Sequence, residues 1–192
     1  MANVVRALAL KVRHGPDRAL HERRRRAAQR QLAGAGRPRS VLILCHGNVC
    51  RSPFAAALVE REVAELGDPR VEVTSAGFVG PDRASPDNGL LAAQSFGIDM
   101  SGHVSALVTP ERVRASDVVV VMSSAQKRQV SSLFPQRRGL VLVLGDLDPL
   151  PIAKRTILDP WNGDVAVFAE SYVRIARCTT ELVKAFAGQH AG

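Results

Sequence analysis

Cysteine is scarce in this chain: only Cys45, Cys50 and Cys178 occur in 192 residues. So few thiols exclude the disulfide framework of a small secreted domain and make a reducing compartment the expectation. No apolar run approaches the roughly 18 to 20 residues that span a bilayer. The opening MANVVRALALKVR has its apolar stretch broken by Arg6 and lacks a small-residue cleavage site, a poor fit to a secretory signal. Cytoplasmic residence is therefore expected. Internal repeats are absent too. Acidic residues are nearly missing from the first 39 positions, where eleven Lys/Arg stand against Asp17 and Glu22. Residues 40–192 hold fifteen basic and sixteen acidic residues, so the formal net charge of +8 belongs to the N-terminal segment.

What the chain does contain suits one soluble globular domain, with 46% apolar and 23% charged residues. From Ser40 onward apolar strands alternate with helical patterns. VLILC (41–45), VEVTSAG (71–77), DVVVVM (117–122) and GLVLVLG (139–145) read as strands. FAAALVEREVAEL (54–66), SPDNGLLAAQSFGI (85–98), SSAQKRQVSSLF (123–134) and a long stretch at 164–187 read as helices. Strands apolar throughout are those buried on both faces of a parallel sheet. The expectation is an α/β three-layer sandwich with a central parallel sheet of about four strands and a phosphate-binding loop after the first. Residues 1–39 read as a basic Arg/Ala-rich extension, partly helical (about 16–33) or disordered, appended to a domain at 40–192.

At the join of the first strand and helix lies CHGNVCRSP, residues 45–53. In open α/β sheets ligands bind where strand carboxyl ends meet helix amino ends, and the unpaired loop amides there attract anions. A thiol such as Cys45, placed in that field beside an arginine, is favoured as the thiolate. Arg51 supplies a planar fork that matches two phosphate oxygens. Gly47 permits a tight turn and close anion approach. Ser52 can donate to the thiolate, and Pro53 suits the first helical position because it has no N–H to leave orphaned.

VLILCHGNVCRSP resembles the active-site signature of the low-molecular-weight protein tyrosine phosphatases. SAG (75–77), GIDMSGHVS (97–105), DVVVVM (117–122) and DPW (159–161) follow in that family's order, so the resemblance covers 40–187. It implies Cys45 as nucleophile, with Arg51 and the loop of His46, Gly47, Asn48, Val49, Cys50 and Ser52 holding the phosphate. No metal or cofactor is implied. Asp159, which alone reads as an Asp-Pro turn residue, becomes the general acid. Trp161 becomes an aromatic wall for the substrate ring, with Phe78 the nearest aromatic for a second wall. Asn48, Ser52, Ser75 and His103 match a set that supports the loop. Cys50 matches a second loop thiol that guards Cys45 against oxidation; small core filler is the other reading.

The resemblance implies a tyrosine-phosphorylated protein as partner, a bacterial tyrosine kinase among the candidates. Relatives with this fold reduce arsenate or remove phosphate from arginine. A reductase relay needs further thiols downstream of the loop, and no cysteine lies between 51 and 177. Arginine phosphatases carry Thr where Val49 stands. A catalytically silent phosphoprotein adaptor is the reading from another class, but Cys45, Arg51 and Asp159 are all present. Three positions depart from the family's habit: Ala106 in place of an arginine, Ser123 in place of an acid, and His46 beside the nucleophile. The RRRR run (23–26) is available to an acidic partner or an anionic surface; a solvated tail is the alternative.

Overall fold

A computed structural model describes residues 15–67 and 70–187. The opening segment, read above as a poor secretory signal, lies outside them up to residue 14. Four strands form one sheet: β1 (Ser40–Cys45), β2 (Glu72–Gly77), β3 (Val118–Val121) and β4 (Leu140–Val143). Their order is β2-β1-β3-β4 and every pairing is parallel. β1 sits inside the sheet, with Leu44 beside Ala76 on one neighbour and Val121 on the other. The expected parallel sheet is thus present.

The helices are α1 (His21–Ala35), α2 (Arg51–Glu65), α3 (Asp87–Gln94), α4 (Pro110–Ala115), α5 (Ser124–Leu133) and α6 (Val165–Ala187). Side chains alternate across a strand, so the β1 residues Val41 and Ile43 pack with Phe54, Leu58, Tyr172 and Leu182 of α2 and α6. Leu42 and Leu44 face the opposite way, against Val113 of α4 and Val130 of α5. This two-sided burial is why β1, β3 and β4 show no polar alternation, whereas the edge strand β2 carries Glu72, Thr74 and Ser75. α4 was not expected from the sequence: it is six residues long, buries only Val113, and is capped by Thr109, whose side chain accepts from the Arg112 amide.

Part of the basic extension packs on the domain. α1 buries His21, Ala28 and Leu32 on one face, and Ala28 and Leu32 join the larger core. His21 Nε2–H donates to the carbonyl of Asp148 at 2.9 Å. Arg25 pairs with Glu181 of α6 at 2.9 Å, and Asp17 accepts from the Arg155 amide at 3.1 Å. Within the RRRR run, Arg24 pairs with Asp17 and Arg26 with Glu22. Three of those four arginines thus meet acids of this chain.

Candidate active site

β1 delivers Cys45 to the carboxyl edge of the sheet, and α2 begins at Arg51. The loop between them is closed by Asn48, whose φ of 53° lies in the left-handed region that Asn tolerates better than most residues. The Asn48 amide donates to Cys45 Sγ at 3.2 Å, and Ser52 Oγ donates to the same sulfur at 3.0 Å. Two donors therefore converge on the sulfur and fix its position.

The Asn48 side chain is fully used. Its Nδ2 donates to Ser52 Oγ at 2.9 Å and to Ser75 Oγ of β2 at 2.8 Å. Its Oδ1 accepts from the Ala106 amide at 2.8 Å. Its backbone carbonyl takes the Nε2–H of His103 at 2.7 Å. A carbonyl can only accept, so that bond also fixes the His103 tautomer. The structure thus brings Asn48, Ser52, Ser75 and His103 into one network. Asn48 and Ser52 are fully buried behind the loop, so of the expected phosphate contacts their side chains are the ones spent on shape.

Gly77 at the end of β2 lets the loop lie against the sheet: a Cβ there would meet the Asn48 nitrogen at 2.7 Å and the Gly47 carbonyl carbon at 2.8 Å. The His46 carbonyl then accepts from the amides of Phe78 (2.8 Å) and Val79 (3.2 Å).

Arg51 is almost wholly buried, its side chain 5% exposed. Nη1 donates to the Ile157 carbonyl at 3.3 Å, Nη2 pairs with the Asp159 carboxylate, and the buried Nε has no partner. Such an orphan is costly unless a ligand meets it. Asp159 arrives because the segment before it is pinned: the Ile157 amide donates to the Met122 carbonyl at the end of β3 at 3.0 Å. Ser171 of α6 also holds the Leu158 carbonyl at 2.9 Å. Ser123, where the family commonly has an acid, caps α5 by accepting from the Gln126 amide.

These groups surround a pocket of about 230 Å³. Cys45, Gly47, Val49, Cys50 and Arg51 are its buried lining; the exposed His46, Val79, Asp159 and Trp161 and the half-buried Arg83 complete it. Trp161 is half exposed, and its amide donates to Asp159 Oδ1 at 3.4 Å. Phe78 is not in the wall: it packs against the Leu42 and Leu44 side of the sheet, because residues of β2 and its continuation alternate faces. Val79 and Arg83 take that place. Arg83 was missed from the sequence because it lies in GPDRAS, a loop whose length sets no register.

Cys50 is buried, and its thiol is pushed up to about 12 by burial and then by the charges of Cys45 and Asp159. It stays protonated beside Cys45. Its carbonyl accepts from Tyr172 Oη at 3.4 Å, and that ring stacks on Phe54 of α2 at 3.8 Å. α6 thereby braces the loop from behind.

The family model described as low molecular weight phosphotyrosine protein phosphatase matches residues 40–191. The chain is 30% identical over 147 residues to the low molecular weight protein-tyrosine-phosphatase Ptp of Acinetobacter johnsonii, covering 76% of this chain and 96% of that one. It is 28% identical over 145 residues to a protein-arginine-phosphatase of Bacillus subtilis, with 75% and 94% covered. The solved structure of the tyrosine phosphatase amsI from Erwinia amylovora superposes with a TM-score of 0.68 at 26% identity, over 77% of this chain and 93% of that one. The match runs from the first strand to the C-terminal helix and includes the loop that carries Cys45 and Arg51, and on that ground the chain belongs to the low molecular weight phosphotyrosine protein phosphatase family.

Proposed function

We propose that this phosphatase hydrolyses phosphotyrosine in proteins through a cysteinyl-phosphate at Cys45. The observation that carries the reading is the buried Arg51 fork, its Nε unpartnered, in the same pocket as a sulfur held by two donors. Phosphate oxygens accept from the loop amides and from Arg51 Nε and Nη2, which stabilise the charge that builds on the transferring group. Cys45 attacks phosphorus, the P–O bond to the ring breaks, and Asp159 gives its proton to the departing phenolate. Water then attacks phosphorus as Asp159 takes its proton; the S–P bond breaks and the thiolate returns with free phosphate. Before this, Asp159 must exchange Arg51 for the leaving oxygen, which the half-exposed loop allows.

Trp161 supports an aromatic substrate as a wall beside the ring. Val49, an apolar lining residue, offers no hydroxyl to a guanidinium, which weighs against phosphoarginine. Cys178, the sole cysteine after the loop, is fully buried in α6 with its thiol pushed up to about 12 by burial and the nearby Asp148 charge, which weighs against a reductase relay. Among the described residues no helix is long and apolar enough to cross a membrane. The proposed setting is the cytoplasm, with a tyrosine-phosphorylated protein as substrate, a bacterial tyrosine kinase among the candidates. The outward arginines of the extension are proposed to face an acidic partner or anionic surface.

The test is a side-by-side assay of phosphotyrosine, phosphoarginine and arsenate, with chelator present throughout. Turnover of phosphotyrosine alone, abolished in Cys45→Ser, is expected. Preference for phosphoarginine, loss of activity to the chelator, or an active Cys45→Ser variant overturns the reading.

A further inference from the structure

Arg83 lines the pocket that holds Cys45, yet nothing in the two-step chemistry uses it. Its Nε donates to the Gly80 carbonyl at 2.8 Å, and its Nη2 to the carbonyls of Val79 at 3.0 Å and Gly47 at 2.9 Å. Three of the five guanidinium N–H donors are thus spent on backbone from two loops, and the head group is held in one place. The guanidinium carbon lies 6.0 Å from the centroid of Trp161, so the cation stands opposite the proposed aromatic wall. Among the described residues Nη1 makes no hydrogen bond and no carboxylate pairs with Arg83.

A cation locked by neutral carbonyls is unusual economy for a merely structural arginine, because beyond the face of Trp161 no anion among the described residues answers its charge. Fixing it in advance removes the ordering cost that a mobile surface arginine would pay on binding. His46, exposed on the same pocket and without a side-chain partner, adds a second donor-bearing group. Among the described residues Asp159 is the only acid in the lining, and it is taken up by Arg51.

We infer that Arg83 is a specificity-determining residue that reads an acidic side chain flanking the target phosphotyrosine, with Nη1 as the donor. The inference rests on the phosphotyrosine reading above. The clamp on the Gly47 carbonyl has a second consequence: it holds that peptide with its oxygen toward Arg83, so Arg83 also positions the loop. The two roles separate by substrate. Loop positioning acts on every phosphate ester alike, whereas reading a neighbour acts only on peptides that carry one.

The experiment measures kcat and KM for free phosphotyrosine and for three phosphotyrosyl peptides of one length, with Asp/Glu, Ala or Lys flanks. The wild type is expected to show a KM about fivefold lower for the acidic peptide than for the Ala peptide, the scale of a partly exposed ion pair. That ratio should fall toward one as salt rises from about 0.05 to about 0.5 M. In Arg83→Gln the acidic-to-Ala ratio is expected near one whatever happens to free phosphotyrosine, and Arg83→Lys should keep part of it. Equal KM values in the wild type, or an unchanged ratio in Arg83→Gln, overturns the inference. If Arg83→Gln does not fold, the salt dependence of the wild-type ratio decides alone. Failure to hydrolyse free phosphotyrosine at all would instead sink the functional reading beneath it.

Discussion

The proposed reaction asks Asp159 to serve two groups in turn. In the structure its carboxylate pairs with Arg51 while its Oδ1 takes the Trp161 amide; in the proposed reaction it meets the leaving oxygen instead. Removing it therefore has two opposed effects. The Arg51 fork is freed for phosphate, which favours binding, and the proton donor is lost, which slows departure of a poor leaving group. Asp159→Ala is expected to lower kcat for phosphotyrosine by about 10² to 10³. For an activated aryl phosphate, whose phenolate leaves without help, the loss should be about tenfold or less, with KM unchanged or lower. Steady-state kinetics on the two esters measure this, and equal losses on both would remove Asp159 from the acid's role. At this scale much of the site was legible, because Cys45, Arg51 and Asp159 are chemically distinctive types at distinctive spacings. Arg83 was not: its role comes from carbonyls of Gly47, Val79 and Gly80 converging on it, and backbone direction leaves no mark in the sequence.

Among the elements, the strands were the most readable, since β1, β3 and β4 have no polar residue inside them to blur the pattern. α4 is too short to show a period, and its place depends on Thr109 as a cap and on burial of Val113 against the sheet. α1 is a different case: the helix was legible and its docking was not. Its composition predicts helix, but only Ala28 and Leu32 give it an apolar face, and the rest of its docking runs through His21, Arg25 and the preceding Asp17 to partners more than a hundred residues away. Leu32 tests whether that docking matters. It is 1% exposed and belongs to the main core, so Leu32→Ala should cost about 2 to 4 kcal/mol of unfolding free energy. Chemical denaturation measures it. A cost near zero would mean that α1 hangs free of the domain, since a solvated helix tolerates the same change.

At the scale of the whole molecule, the acidic groups that join distant segments cluster around α1 and α6. Asp148 is fully buried; its carboxylate takes Arg174 Nε at 2.9 Å and Arg177 Nε at 2.7 Å, and its carbonyl takes His21. One residue thus ties α1 and α6 to the segment that runs on to Asp159. Burial alone would raise the Asp148 carboxyl, but hydrogen bonds from Arg177, the Leu150 amide and Arg174 outweigh it and hold the group below its ordinary value of 3.8. Asp17 and Glu181 are lowered in the same way, burial being overcome by the Arg155 amide and Arg24 at the first and by Lys184 and Arg25 at the second. Groups lowered on folding contribute stability that is present above their unfolded values and lost as pH falls through the folded ones. Glu62 opposes them: burial raises it, so acid relieves a penalty there. The exposed Glu22, Asp99 and Glu111 are lowered as well, by hydrogen bonds at the surface, so among the described residues six lowered carboxyls stand against one raised and predict a Tm that is flat from about pH 5 to 7 and falls below about pH 4. Asp148→Asn should lower Tm at neutral pH, by an amount equivalent to about 2 kcal/mol since its arginine partners keep some solvent, and should flatten the acid slope. Scanning calorimetry across that range is the measurement. A variant as acid-sensitive as the wild type would place the acid transition elsewhere and leave Asp148 as packing alone.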